Sequence, residues 1–169
     1  FYNSAVLFNS NGKIAGVYRK IFLFPTEKWS MPGRKPVVWK TEKVKIGCVI
    51  CFDGDFPELV RHYVLSGAEV VVRPSAFLRD YTIWSLTNRS RAYENQIYFC
   101  AVNNIGTDYC GKNYYGHSML VDPYSRVVVQ LGSNEDNFVY KILPIQKLNF
   151  SGIVKINHIK QFLLGKDRL

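Results

Sequence analysis

A cysteine serves as a nucleophile only where its sulfur is held out of the core and a thiolate is tolerated. By sequence alone, Cys51 meets that description. It follows the apolar run Val44-Lys45-Ile46-Gly47-Cys48-Val49-Ile50 and opens the segment Cys51-Phe52-Asp53-Gly54-Asp55-Phe56-Pro57-Glu58. The run is short and rich in β-branched residues, as a buried strand is. The segment after it enters a helix through Pro57, with Glu58 in the first turn. A cysteine on the sharp turn between the two is pushed out of the sheet. The N–H groups that follow, together with the helix N-terminus, favour negative charge there. Most free cysteines simply fill space, and Cys48, Cys100 and Cys110 read that way.

Cys48 and Cys51 also form a C-x-x-C spacing. A zinc site would need two further ligands at short spacing, and Cys100 and Cys110 stand too far along the chain. A redox pair would need both sulfurs accessible, whereas strand alternation places Cys48 inside. No metal and no cofactor is expected. Four cysteines in 169 residues do not make a disulfide scaffold, which fits a reducing, cytoplasmic setting.

These residues need a scaffold, and the chain supplies the signals for one. Strands are expected over 2–8 and 14–19, joined by an Asn9-Ser10-Asn11-Gly12-Lys13 turn, and over 36–39, 45–50, 69–73, 97–102, 118–121, 127–130 and 137–142. Helices are expected over 57–66, closed by Gly67, and over 82–95. Residues 20–34 and 103–114 read as loops. Strands that alternate with two helices and then give way to hairpins argue for α/β with a mixed sheet. The length suits one domain, and 47% apolar residues exclude a disordered chain. No apolar stretch is long enough to span a membrane.

The net charge is +9, and residues 141–169 form a basic segment with six Lys or Arg against Asp167 alone. Its lysines are spread out and no base-stacking motif accompanies them, so a solvated face is expected rather than a nucleic-acid interface.

Three stretches together resemble the carbon–nitrogen hydrolase family, also called the nitrilase superfamily. Tyr18-Arg19-Lys20 is similar to the segment carrying that family's catalytic lysine, and Cys51 to Glu58 resembles its nucleophile elbow. Arg91-Ala92-Tyr93-Glu94-Asn95, Asn103 and Gly116-His117-Ser118 resemble its later helix, strand and hairpin. The resemblance implies an αββα sandwich of the nitrilase type that pairs with a second copy as αββααββα, hence a homo-oligomer. It also implies a Glu-Lys-Cys triad: the cysteine forms a thioester, the lysine stabilises the oxyanion and a glutamate moves protons. On this basis Cys51 is the nucleophile, and Lys20 with the N–H of Phe52 is the oxyanion partner. The family's general-base glutamate lies upstream of its lysine. No acidic residue precedes Lys20 here, so 1–169 reads as a single domain lacking the N-terminal portion of the family fold.

Glu27, in Pro25-Thr26-Glu27-Lys28-Trp29, is similar to a second glutamate that positions the lysine in many members. Glu94 and His117 are expected to support the site from behind. If Arg73 faces the pocket, it would hold a substrate carboxylate. The form Cys-x-Asp-Gly-x-x-Pro-Glu is similar to aliphatic amidases and formamidases, which implies a small amide cleaved to acid and ammonia. An N-carbamoyl amine or amino-acid substrate is the alternative, and a non-catalytic homologue is a third reading.

Overall fold

The computed structural model describes residues 1–133 and Leu143. The strand expected over 137–142 and the basic segment 141–169 therefore lie outside the described residues, Leu143 apart. Strands β1 (Ser4–Phe8) and β2 (Ile14–Arg19) form a hairpin closed by the expected turn, where Asn9 N donates to Lys13 O at 2.9 Å and Gly12 takes φ +72°. Among the described residues, the pair stands as a two-stranded ribbon of its own.

Among the described residues, the main sheet has six strands in the order β10-β9-β6-β5-β4-β3. They are β3 (Trp39–Lys40), β4 (Lys45–Cys48), β5 (Val70–Ser75), β6 (Tyr98–Asn103), β9 (Met119–Val121) and β10 (Val127–Gln130). The central three, β4, β5 and β6, run parallel, while β3, β9 and β10 are antiparallel to their neighbours. Parallel neighbours need crossovers. Helices α1 (Pro57–Leu65) and α2 (Tyr81–Asn95) supply them, and they pack against each other and against this sheet. α1 starts with Pro57 in its first turn and buries Leu59, Val60, Tyr63 and Val64. α2 is capped by the Asp80 side chain, which accepts from Thr82 N at 2.6 Å, and ends at Gln96 in a left-handed conformation. The result is the expected α/β fold with a mixed sheet. Among the described residues, no helix is long and apolar enough to cross a membrane.

Three segments depart from the expectation. β5 continues through Pro74 to Ser75 instead of ending at Arg73. Its ladder with β4 stops at Val72, so beyond that point one flank of β5 is free and a proline breaks no ladder bond there. Residues 36–38 stay outside the sheet, and β3 has only two residues. The polar stretch 103–114 contains a third, small sheet, β7 (Ile105–Thr107) with β8 (Asn113–Tyr115). Its composition hides it from any reading based on apolar alternation.

Candidate active site

The chain leaves β4 through Val49, whose N–H still reaches Val72 O at 3.0 Å, and turns at Cys51. Cys51 has φ +48°. A non-glycine residue occupies that region at a cost that the surroundings must cover. They do so here by gripping the backbone on both sides of it: Ile50 N donates to Asp53 Oδ2 at 2.9 Å, and Arg73 Nε donates to Cys51 O at 2.8 Å. A 3₁₀ turn over Cys51–Asp55 follows. The helix begins at Pro57, as expected, and the N–H groups nearest the sulfur belong to the 3₁₀ turn that precedes it. Cys51 is half-buried, while Cys48 lies inside the sheet with its thiol pushed up to about 12 by burial and by Asp53.

Lys20 follows directly on β2, yet it is 2% exposed. Its own backbone is pinned, since Lys20 N donates to Asn3 O at 2.8 Å and Lys20 O accepts from Gly33 N at 2.7 Å. The ammonium pairs with Glu27 Oε2. Glu27 also accepts from Asn3 Nδ2 at 2.7 Å and from Phe24 N at 2.8 Å. Burial pushes the Glu27 carboxyl up, but the Lys20 ammonium, the Phe24 N–H and the Asn3 amide together hold it below the usual glutamate range. Buried lysines are rare unless paired.

Sequence reasoning missed Asp53, the residue that joins these two parts. Its carboxylate is fully buried and accepts from Tyr18 Oη at 2.8 Å, Ile21 N at 3.2 Å, Phe22 N at 2.7 Å and Ile50 N at 2.9 Å. Burial pushes this carboxyl up, against the pull of its donors and of the Lys20 charge. An acidic residue two positions after the cysteine, on the turn that leaves a buried strand, was the available signal. Phenylalanines complete the junction. Phe22 stacks on Phe56 at 3.8 Å, and Phe52 meets Phe24 and Phe56 edge-on at 5.3 and 5.2 Å. The ring of Phe52 thus packs the Lys20 loop against the elbow.

Arg73 does not face a substrate pocket. It is fully buried, and its guanidinium is spent on Cys51 O, Asp55 Oδ1 at 2.8 Å, Asn88 Oδ1 at 2.7 Å and Thr87 Oγ1 at 3.1 Å. Asp55 also pairs with the more exposed Arg79. From α2, Arg91 donates to Gly54 O and Asp55 O, both at 3.0 Å, and pairs with Glu94 at 2.9 Å. Among the described residues, Glu94 reaches the elbow through Arg91. His117 sits at φ +56° with its ring 4.8 Å from that of Tyr81 and its Nδ1 3.2 Å from Gln130 Nε2. Its carbonyl accepts from Trp84 Nε1 at 2.9 Å. Among the described residues, no group of three His, Cys, Asp or Glu side chains is placed to hold a metal ion.

A strained cysteine and a buried, carboxylate-bound ammonium on adjoining segments fit the resemblance drawn from the sequence. Residues 1–149 match the profile of the family described as carbon-nitrogen hydrolase. The chain belongs to the carbon–nitrogen hydrolase family. Omega-amidase NIT3 of Saccharomyces cerevisiae is 31% identical to it over 98% of the chain and 61% of that protein. Among solved structures, Saccharomyces cerevisiae Nit3, a member of branch 10 of the nitrilase superfamily, superposes with a TM-score of 0.73 at 36% identity, over 80% of this chain and 51% of that one. An amidase variant from Nesterenkonia sp. AN1, with the acetamide moiety of fluoroacetamide covalently added at its active-site cysteine, superposes with a TM-score of 0.73 at 29% identity, over 78% and 51%. The chain spans about half the length of the curated relatives it matches. In this carbon–nitrogen hydrolase chain, a half-buried thiol, a buried ammonium and the carboxylate paired with it stand on adjoining segments.

Proposed function

We propose that this chain carries the nucleophile and oxyanion machinery of a thiol-dependent amidase that cleaves a small amide to acid and ammonia. The observation that carries the reading is the buried Lys20–Glu27 pair, tied through Asp53 to the Cys51 elbow. A solvated lysine would need none of these bonds.

In this reading the Cys51 sulfur adds to the amide carbonyl carbon, and the carbonyl π electrons move onto oxygen. The Lys20 ammonium and the Phe52 N–H stabilise that oxyanion. Collapse expels the nitrogen, which takes up a proton and leaves as ammonia, and a thioester remains on Cys51. Water then adds to the thioester carbon and the acid departs, returning the thiol. Glu27 is engaged with the ammonium and orients it. The carboxylate that relays the protons is proposed to come from sequence upstream of Lys20 that this chain does not contain. The cysteine adduct of the Nesterenkonia amidase supports the nucleophile. An N-carbamoyl amine or amino-acid substrate is the alternative that the elbow sequence allows, and the burial of Arg73 takes away the carboxylate ligand that would have favoured it. We also propose the expected pairing with a second copy, supported by the exposed Ile83 and Leu86 on α2 and tested by light scattering.

The test is ammonia release from a panel of small amides and carbamoyl compounds by the full-length protein, with Cys51→Ala beside it. Release by wild type alone is expected. Equal release by both, or by neither, overturns the reading.

A further inference from the structure

We infer that Asp53 is a positioning residue that sets where the Lys20 ammonium stands relative to the Cys51 sulfur, and so controls oxyanion stabilisation without itself touching substrate. This rests on the roles given above to Cys51 and Lys20.

The argument starts from topology. Lys20 extends from the β1–β2 ribbon and Cys51 from β4 of the main sheet, and no strand pairing joins ribbon to sheet among the described residues. The relative placement of the two groups is therefore left to side chains. Asp53 holds both segments at once. Its Oδ1 accepts from the N–H groups of Ile21 and Phe22, directly after Lys20. Its Oδ2 accepts from the N–H of Ile50, directly before Cys51, and from the hydroxyl of Tyr18, two residues before Lys20. A carboxylate has about four lone-pair sites, and here each meets a donor. An amide in its place would have one accepting oxygen and one donating nitrogen. Asparagine could keep the Ile21 and Phe22 donors or the Ile50 and Tyr18 donors, but not all four.

Reactions of this kind are sensitive to such placement, since a misplacement of about 1 Å can cost roughly a hundredfold in rate. The direct displacement chemistry of a thiol needs no oxyanion partner, so the two kinds of reaction at one sulfur separate positioning from general damage.

The experiment follows two reactions of Cys51 in the full-length protein by site-resolved mass spectrometry. In the first, the sulfur is acetylated by p-nitrophenyl acetate. The S–C bond forms through a tetrahedral oxyanion, and the C–O bond breaks as p-nitrophenolate leaves with the electron pair. In the second, iodoacetamide alkylates the sulfur directly, with loss of iodide. Asp53→Asn is expected to slow acetylation by about tenfold to a hundredfold while alkylation stays near wild type, and Lys20→Met is expected to show the same pattern. Cys48, buried in the folded chain, reports opening if it becomes alkylated. Should Asp53→Asn open, Tyr18→Phe replaces it. That variant removes one donor from Oδ2, keeps the three backbone N–H donors, and is expected to slow acetylation selectively by a smaller factor.

Proportional slowing of both reactions, or no slowing with Cys48 still shielded, overturns the inference. Slow acetylation in Lys20→Met beside normal acetylation in Asp53→Asn overturns it alone. Normal acetylation in Lys20→Met overturns the role of Lys20, and the inference falls with it.

Discussion

Replacing Arg73 by methionine separates two accounts of that residue. The side chain is fully buried, and its four hydrogen bonds run to Cys51 O, Asp55 Oδ1, Asn88 Oδ1 and Thr87 Oγ1. Methionine fills much of the same volume and makes none of these bonds. Asp55 keeps Arg79 and the Thr87 hydroxyl keeps its donation to Ile83 O, but Asn88 Oδ1 and Cys51 O lose the Arg73 donor. A buried polar group left unpaired costs about 1–3 kcal/mol, so two cost about 2–6. Breaking a buried ion pair from one side costs about 3–5 kcal/mol, in the same range. A domain holds only about 5–15 kcal/mol in total. With a urea dependence of about 2 kcal/mol per molar, a loss of about 3–5 kcal/mol lowers the unfolding midpoint by roughly 2 M. Trp84, buried with the Arg73 guanidinium 5.2 Å from its ring centre, is a natural fluorescence probe. Amide turnover should fall as well, because the strained Cys51 backbone loses one of its holds. A midpoint moved by less than about 0.5 M, equivalent to about 1 kcal/mol, would refute the reasoning. A raised KM at unchanged stability would restore Arg73 as a substrate ligand.

Gly54→Ala should strike the same network from the other side. Its added methyl would overlap Arg73 Nε, and a buried guanidinium with four partners cannot step aside. Overpacking costs about 1–3 kcal/mol, read as a lower melting temperature, and an unchanged melt would show that the network yields. Glu27→Gln tests the Lys20 pair through pH. The Glu27 carboxyl lies below its ordinary value of 4.5 in the folded state, so its contribution is complete above that value and is lost as pH falls through the lower folded value. Wild type should exceed Glu27→Gln in stability near neutrality, and the two curves should converge in acid; a constant gap across that range contradicts the pairing. Native-state alkylation should modify Cys110 and Cys51 while Cys48 reacts only after unfolding, and early modification of Cys48 would contradict its burial.

The elbow was legible because its signals are local: a β-branched run, a cysteine, then Pro57 one turn further on. The mixed sheet followed from the same kind of signal, strand and helix periods in alternation. What escaped was long-range. Asp53 draws its donors from Tyr18, Ile21 and Phe22, more than thirty residues away in sequence, and no spacing rule connects them. Arg73 could be assigned either way from sequence, since a strand period says which face a side chain takes but not whether that face is open or closed. Locally, nothing distinguishes Lys20 from a solvated lysine that follows a strand. Its burial depends on Gly33, Asn3 and Glu27, which converge only in three dimensions.

The ribbon that carries Lys20 has its own energetic fate. Its inner residues Ala5 and Leu7 pack on the core, while Val6, Phe8, Ile14 and Val17 are exposed on its other side. A lone two-stranded hairpin is marginal in water. Local opening of such a unit needs less free energy than unfolding of the whole molecule. Gentle heating should therefore abolish the proposed amide turnover while Trp84 still reports a native interior, well below the temperature at which the main sheet melts.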